Sequence, residues 1–160
     1  MKKYNILNKR KKKRLVLVSS EEGVKQSFIK KLIEHNIQLH KKKKYKQTDL
    51  FIEHYYNEQA YEIKITDMQK TNISNFITCG EIIDCHGVIF IINKNNYESL
   101  LYVKEFISQY HKNIGNKFFP TIFVQFDSND NDTSFRNYDE KEMDEITMKG
   151  VFPLIKITKN

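Results

Sequence analysis

The stretch from Arg14 to Ile33, RLVLVSSEEGVKQSFIKKLI, decides how the chain reads. Leu15 to Val18 is an apolar run of β-formers, and Val24, Phe28, Ile29, Leu32 and Ile33 then recur at helical spacing. The pattern predicts a buried strand, a turn and an amphipathic helix. A phosphate-binding α/β domain begins in this way. In such a domain the turn is G-x-x-x-x-G-K-[ST], whose backbone N–H groups wrap the phosphates while Lys meets the β/γ oxygens and Ser/Thr holds Mg²⁺. The corresponding positions here are Ser19, Ser20, Glu21, Glu22, Gly23, Val24, Lys25 and Gln26. Both glycine positions carry side chains, the magnesium ligand is an amide, and Glu21 and Glu22 put negative charge where a triphosphate lies. Only the lysine is kept.

Working outward, 160 residues suit one domain with no linker. A chain of that length buries about two-thirds of its unfolded surface. An apolar content of 39%, with 11 Phe and 9 Tyr, supplies a packed core. No apolar run approaches the ~20 residues of a membrane span, and no signal-peptide core follows the basic N-terminus. An intracellular protein, cytoplasmic or nuclear, is therefore expected. Cys79 and Cys85 with His86 fall short of the roughly four spaced ligands of a zinc site, so unpaired thiols and no metal are expected.

The net charge of +7 is unevenly placed. Of the 27 Lys and Arg, 13 lie in two acid-free stretches, Met1–Arg14 and His40–Gln47, which leaves the other 14 facing 20 acidic residues. The basicity belongs to a tail, residues 1–13, and one loop, while the folded body, residues 14–160, is acidic. Lys9, Arg10, Lys11, Lys12, Lys13 and Arg14 form one basic patch, and Lys41, Lys42, Lys43 and Lys44 a second that could act jointly with it. Such runs suit nuclear localisation, nucleic acid or an anionic membrane, or are simply solvated.

The first helix is expected from Glu22 to His35, followed by the Lys-rich loop. Thr48–Tyr56 and Ala60–Thr66 read as two strands of a hairpin around Asn57–Gln59, and Asp67–Ile83 as a loop with at most a short helix. Gly87–Ile92 (GVIFII) reads as a strand buried on both faces. A helix starting near Asn95 or Asn96 follows, with Leu100, Val103, Ile107 and Tyr110 on one side. Thr121–Phe126 is a further strand and Asp127–Asn137 a loop. A short helix from Tyr138 to Lys149, ended by Gly150, leads to a last strand, Val151–Thr158. A hairpin followed by alternating strands and helices implies a mostly parallel, six-stranded sheet with helices on both faces and one antiparallel edge strand.

This order resembles the Ras-like small GTPases from Arg14 to Asn160, with the closest resemblance to the Rab branch. The run CHGVIFIINKNNYESLLYVKEF, Cys85 to Phe106, carries it: Rab proteins have His-Gly, an apolar strand, a polar turn, Glu-Ser-aromatic and a helix containing Val-Lys, matched by His86, Gly87, Glu98, Ser99, Leu100, Val103 and Lys104. The resemblance implies strand order 2-3-1-4-5-6, with ligands at the carboxyl ends of the strands. It aligns the family's D-x-x-G with Asp67, Met68, Gln69 and Lys70, keeping the carboxylate and losing the glycine that senses the γ-phosphate. Thr71 stands at the water-orienting position, and Thr48 is the candidate switch threonine. The guanine motif N-K-x-D becomes Asp127, Ser128, Asn129 and Asp130, and the final S-A-K loop becomes Thr158, Lys159 and Asn160.

Phosphoryl transfer depends almost wholly on positioned electrostatic groups, and losing one commonly costs ~10²-fold or more. No catalytic residue and no required cofactor are therefore expected. The resemblance implies a pseudo-GTPase, a Rab-like domain kept as a protein-interaction module in membrane traffic. The alternative is a divergent Rab-type GTPase that binds GTP or GDP with Mg²⁺, weakly, through Ser19, Ser20, Gly23, Lys25, Gln26, Asp67, Asp127 and Asp130, and acts as a trafficking or signalling switch. A third reading makes the basic segments the functional site, on nucleic acid or anionic membrane. In the family a long helix follows the sixth strand, whereas Asn160 ends this sequence. A protein partner is accordingly expected near the first helix and the last strand, on the face of Phe152 and Leu154 or on that of Ile155 and Ile157.

Overall fold

The computed structural model describes residues 9–35, 39–44, 47–68, 72–115, 120–127 and 138–158. In chain order the elements are β1 (Lys11–Val18), α1 (Glu22–His35), β2 (Leu39–Lys44), β3 (Gln47–Tyr56), β4 (Gln59–Met68), α2 (Ile73–Thr78), α3 (Gly80–Ile83), β5 (Gly87–Asn93), α4 (Tyr97–Ile114), β6 (Thr121–Asp127), α5 (Glu140–Ile146) and β7 (Leu154–Thr158). They build a mixed α/β fold around one sheet of order β2-β3-β4-β1-β5-β6-β7. β1 pairs in parallel with β4 and β5, and β5–β6 and β6–β7 are parallel too. The β2–β3 and β3–β4 pairs are antiparallel. Without β2, the order is the expected one.

Three expectations need correction. The Lys-rich segment is an edge strand rather than a loop: Leu39–Lys44 pairs with Gln47–Ile52, so the sheet has seven strands and the antiparallel β3 lies inside it. Strand pairing is a backbone property, and a lysine run at a sheet edge needs no buried side chain to pair. Second, β1 begins at Lys11 instead of Leu15, so Lys11–Lys13, placed in a tail, pair within the sheet. Third, the stretch expected as a loop from Asp67 carries the end of β4 and two short helices, α2 and α3; Asn72 caps α2, its side chain accepting from the Asn75 N–H at 2.8 Å.

α1 covers one face of the sheet, packing Val24, Phe28 and Ile29 on Leu17, Leu50, Ile65, Ile89, Ile91, Val124 and Phe126. The opposite face is covered by α2, α3, α4 and α5. There Phe76, Phe106, Phe90, Phe123 and Phe152 form a chain of ring contacts with centroids 5.4–6.0 Å apart, stacked between Phe90 and Phe123 and edge-on elsewhere. Phe152 and Leu154 pack on this side and Ile157 on the α1 side, while Ile155 is 48% exposed.

Two motif residues have plain packing reasons. A Cβ on Gly87 would sit 2.9 Å from the Pro120 carbonyl and 3.1 Å from Leu15, so only glycine lets β5 enter beside β1. The preceding His86 ties the same corner, its N–H donating to the Arg14 carbonyl at 2.7 Å while its Nδ1 accepts from the Arg14 N–H at 2.9 Å. Asn96 caps α4 by accepting from the Glu98 N–H, and a capping box between Asp139 and Glu142 starts α5.

Candidate functional site at the carboxyl ends of the strands

The loop between β1 and α1 is three residues long, Ser19 to Glu21. Of the eight positions that a phosphate-wrapping turn uses, the last five, Glu22 to Gln26, are already helical. Gly23 sits in the first turn of α1 and is absent from the positive-φ glycines, which are Gly115 and Gly150. The backbone around Gly23 is thus helix rather than a wrapping turn. Ser19 shapes what remains, its Oγ accepting from the Glu21 N–H at 3.2 Å. Ser20 is the bend between them.

Lys25 follows one turn into the helix and is almost fully buried. Its ammonium lies 2.7 Å from Asp67 Oδ1, at the end of β4, and 2.9 Å from Glu22 Oε2 in its own helix. Burial alone pushes an ammonium's pKa down, but Asp67 and then Glu22 outweigh it, so Lys25 stands above the ordinary lysine value. Glu22 shows the mirror effect. Burial works to raise it, and the hydrogen bond from Gln26 and the pairing with Lys25 leave it below the ordinary value. Gln26, at the magnesium position of the motif, donates to Glu22 Oε1 at 2.8 Å and more weakly to Asp67 Oδ2 at 3.4 Å. Thr48 is the ladder partner of Asp67, so the two share a face of the sheet.

Glu21 points the other way. Its carboxylate accepts from Asn93 Nδ2 at 2.9 Å and from Asn96 Nδ2, tying the β1–α1 loop to the start of α4. One lysine is shared by two carboxylates and the third carboxylate is held by two amides.

Further along the edge, Asp127 ends β6, 3.7 Å from Lys94 Nζ and 3.4 Å from Asn95 Nδ2. It borders a cavity of about 200 Å³ lined by Lys94, Gln125, Tyr138, Asp139, Lys156 and Thr158 among others. Tyr138 Oη accepts from the Gln125 Nε2–H at 3.0 Å, and burial pushes the phenol up to about 12. Asp130, Thr71, Lys70, Lys159 and Asn160 lie outside the described residues. So the structure brings Lys25, Gln26 and Asp67 together, keeps Ser19 within the β1–α1 loop, and leaves Asp127 in a separate cluster with Lys94.

Sequence reasoning missed Asn93, Lys94 and Asn95 as partners of this edge. Asn93 and Asn96 meet Glu21 across more than 70 residues of chain, a contact that no local pattern encodes. A cue was nonetheless present, since Asn93 to Asn96 is the polar turn following the most apolar strand.

The two basic segments lie on one sheet but not side by side. Lys41 aligns through Leu50 and Ile65 with Leu15, four residues along β1 from Lys11, so the lysines of β2 and those of β1 are staggered across β3 and β4. Among the described residues no helix is long and apolar enough to cross a membrane. Comparison with protein-family models and with curated proteins finds none that matches this chain.

Proposed function

We propose that the chain is a catalytically inactive, Rab-like small-GTPase domain of Ras-like fold that works as a protein-interaction module. The observation that carries this reading is the occupation of Lys25: the one retained phosphate-binding side chain is spent on Glu22 and Asp67. A triphosphate would have to displace two carboxylates from a buried ammonium and then lie beside their negative charge. Supporting it, the loop that should wrap the phosphates is shortened to Ser19–Glu21, and the glycine is used as helix.

Thermal melting with and without GTP and Mg²⁺ tests the proposal. A ligand at 100 times its dissociation constant stabilises by about 2.7 kcal/mol, which for a chain of this size is roughly 5–10 °C. The expected result is no shift. A guanine-selective rise of that size overturns the proposal in favour of a divergent switch that still binds nucleotide.

A further inference from the structure

The far end of the sheet carries a surface that the pseudo-GTPase reading does not use. There β1, β4 and β3 run on beyond β5, whose pairing with β1 begins only at Leu15. This leaves a three-stranded ribbon in which Lys11 pairs with Tyr61 and Lys13 with Ile63 on one side of β4, and His54 pairs with Tyr61 and Tyr56 with Gln59 on the other.

Strand alternation sorts these residues onto two faces. Leu15, Ile52 and Ile63 pack on the α1 side, so Lys11, Lys13, His54, Tyr56 and Tyr61 belong to that face. Lys11, Tyr61 and His54 stand in one row across three adjacent strands, and Tyr56 lies in the next row toward the turn. Lys11, Lys13 and His54 are exposed and Tyr56 is 61% exposed. No acid occupies a ribbon position on this face. The opposite face takes both acids, Glu53 and Glu62, together with Lys12, Arg14 and Lys64, and Glu53 is paired with Arg10. The sequence alone shows a basic run; the register separates it into a compensated face and an uncompensated one that alternates cations with rings.

We infer that the α1-side face of this ribbon binds single-stranded nucleic acid. Lys11 and Lys13, two residues and roughly 7 Å apart along the strand, match the spacing of successive phosphates of an extended strand. Tyr61, His54 and Tyr56 offer planar rings beside them, and base–aromatic stacking with a cationic track is how sequence-tolerant single-strand binders work. An anionic membrane would draw on lysines from both faces, whereas here the cation and the rings share one row on a single face, the arrangement that suits a stacked single strand.

The test measures fluorescence anisotropy of labelled dT12 and U12 with the full chain between 50 and 200 mM salt. Lys11→Gln with Lys13→Gln should weaken binding about tenfold or more, and should flatten the salt dependence by up to about 1.4 in logarithmic slope, two phosphates at about 0.7 each. Lys12→Gln with Arg14→Gln, on the other face, should change affinity less than threefold. Tyr61→Ala should cost at least fivefold with the salt slope unchanged, and the exposed Tyr56→Ala reads the same effect if the Tyr61 variant melts early. The two oligonucleotides decide between DNA and RNA as the source. Equal losses from both lysine pairs with no loss from either tyrosine overturn the inference, leaving diffuse charge only. So does binding to phosphatidylserine vesicles in the absence of oligonucleotide binding, and so does failure to bind either.

Discussion

The two ends of the sheet handle charge in opposite ways. At the carboxyl ends of the strands, Lys25, Glu22 and Asp67 meet at 2.7–2.9 Å, with the lysine and Asp67 both nearly out of solvent. At the ribbon end, Lys11 to Arg14 stay exposed, and the Arg10–Glu53 pair leaves each side chain more than a third accessible. Both stretches are rich in charge when read as sequence. What separates them is burial: the same groups become structural when taken out of water and remain available when left in it.

The largest expected effect breaks the buried end. Lys25→Met keeps the length and apolar stem of the side chain but leaves Asp67 buried without its cation. Breaking such a pair from one side costs about 3–5 kcal/mol. Denaturant unfolding of Lys25→Met should show a loss in that range, and Lys25→Met with Asp67→Leu should recover much of it, because no charge is then stranded. A loss under about 1 kcal/mol for the single variant means that Lys25 is not held as described, and reopens the site for phosphate.

Alkaline pH sharpens the same contrast without mutation. Tyr138 ionises near 10 when unfolded and at about 12 in the fold, so the unfolded state releases a proton first and stability falls as pH rises through that window. The slope from this group is at most about 1.4 kcal/mol per pH unit. Lys25 acts in the same direction: its pKa is raised in the fold, so its contribution is complete below the ordinary lysine value and is lost above it. Tyr138→Phe should therefore flatten the decline in stability above pH 10, measured by urea unfolding at successive pH values.

Much of the buried half was legible in the sequence, for a physical reason. Apolar spacing placed α1 at Glu22–His35 and β5 from Gly87, and Asn95 or Asn96 marked the start of α4, which Asn96 caps, because burial forces a period on the residues that meet the core. Glu21 and Glu22 already argued against a phosphate at this turn. The ion pairs that fill it were not legible, since Lys25 and Asp67 are 42 residues apart and only the fold joins them. β2 escaped for the converse reason. Its lysines carry no apolar period, and its backbone pairing with β3 leaves no trace in composition.

The hairpin turn that ends the ribbon supplies the next effect. Asn57 and Glu58 have φ of +46° and +62°, the left-handed pair of a type I′ turn, in which Asn-Gly is the favoured dipeptide. A glutamate in that region carries the steric cost of its Cβ. Glu58→Gly should therefore stabilise the chain by about 0.5–1 kcal/mol, seen as a melting rise of a few degrees. Destabilisation instead means that contacts of the Glu58 side chain outweigh the backbone cost.

The smallest effect belongs to Arg10 and Glu53. The pair joins the start of β1 to β3 with good contact, yet both side chains remain in water, where screening and lost side-chain freedom offset most of the attraction. Exposed pairs of this kind are worth about 0.2–1 kcal/mol. Glu53→Gln should cost no more than that at low salt, and the difference from the parent should vanish near 1 M salt, where the Debye length is about 3 Å. The loss in Lys25→Met should persist at the same salt, because buried charges are screened far less. If Glu53→Gln instead costs several kcal/mol and resists salt, the ribbon end is as structural as the carboxyl end, and its charges are not free for a partner.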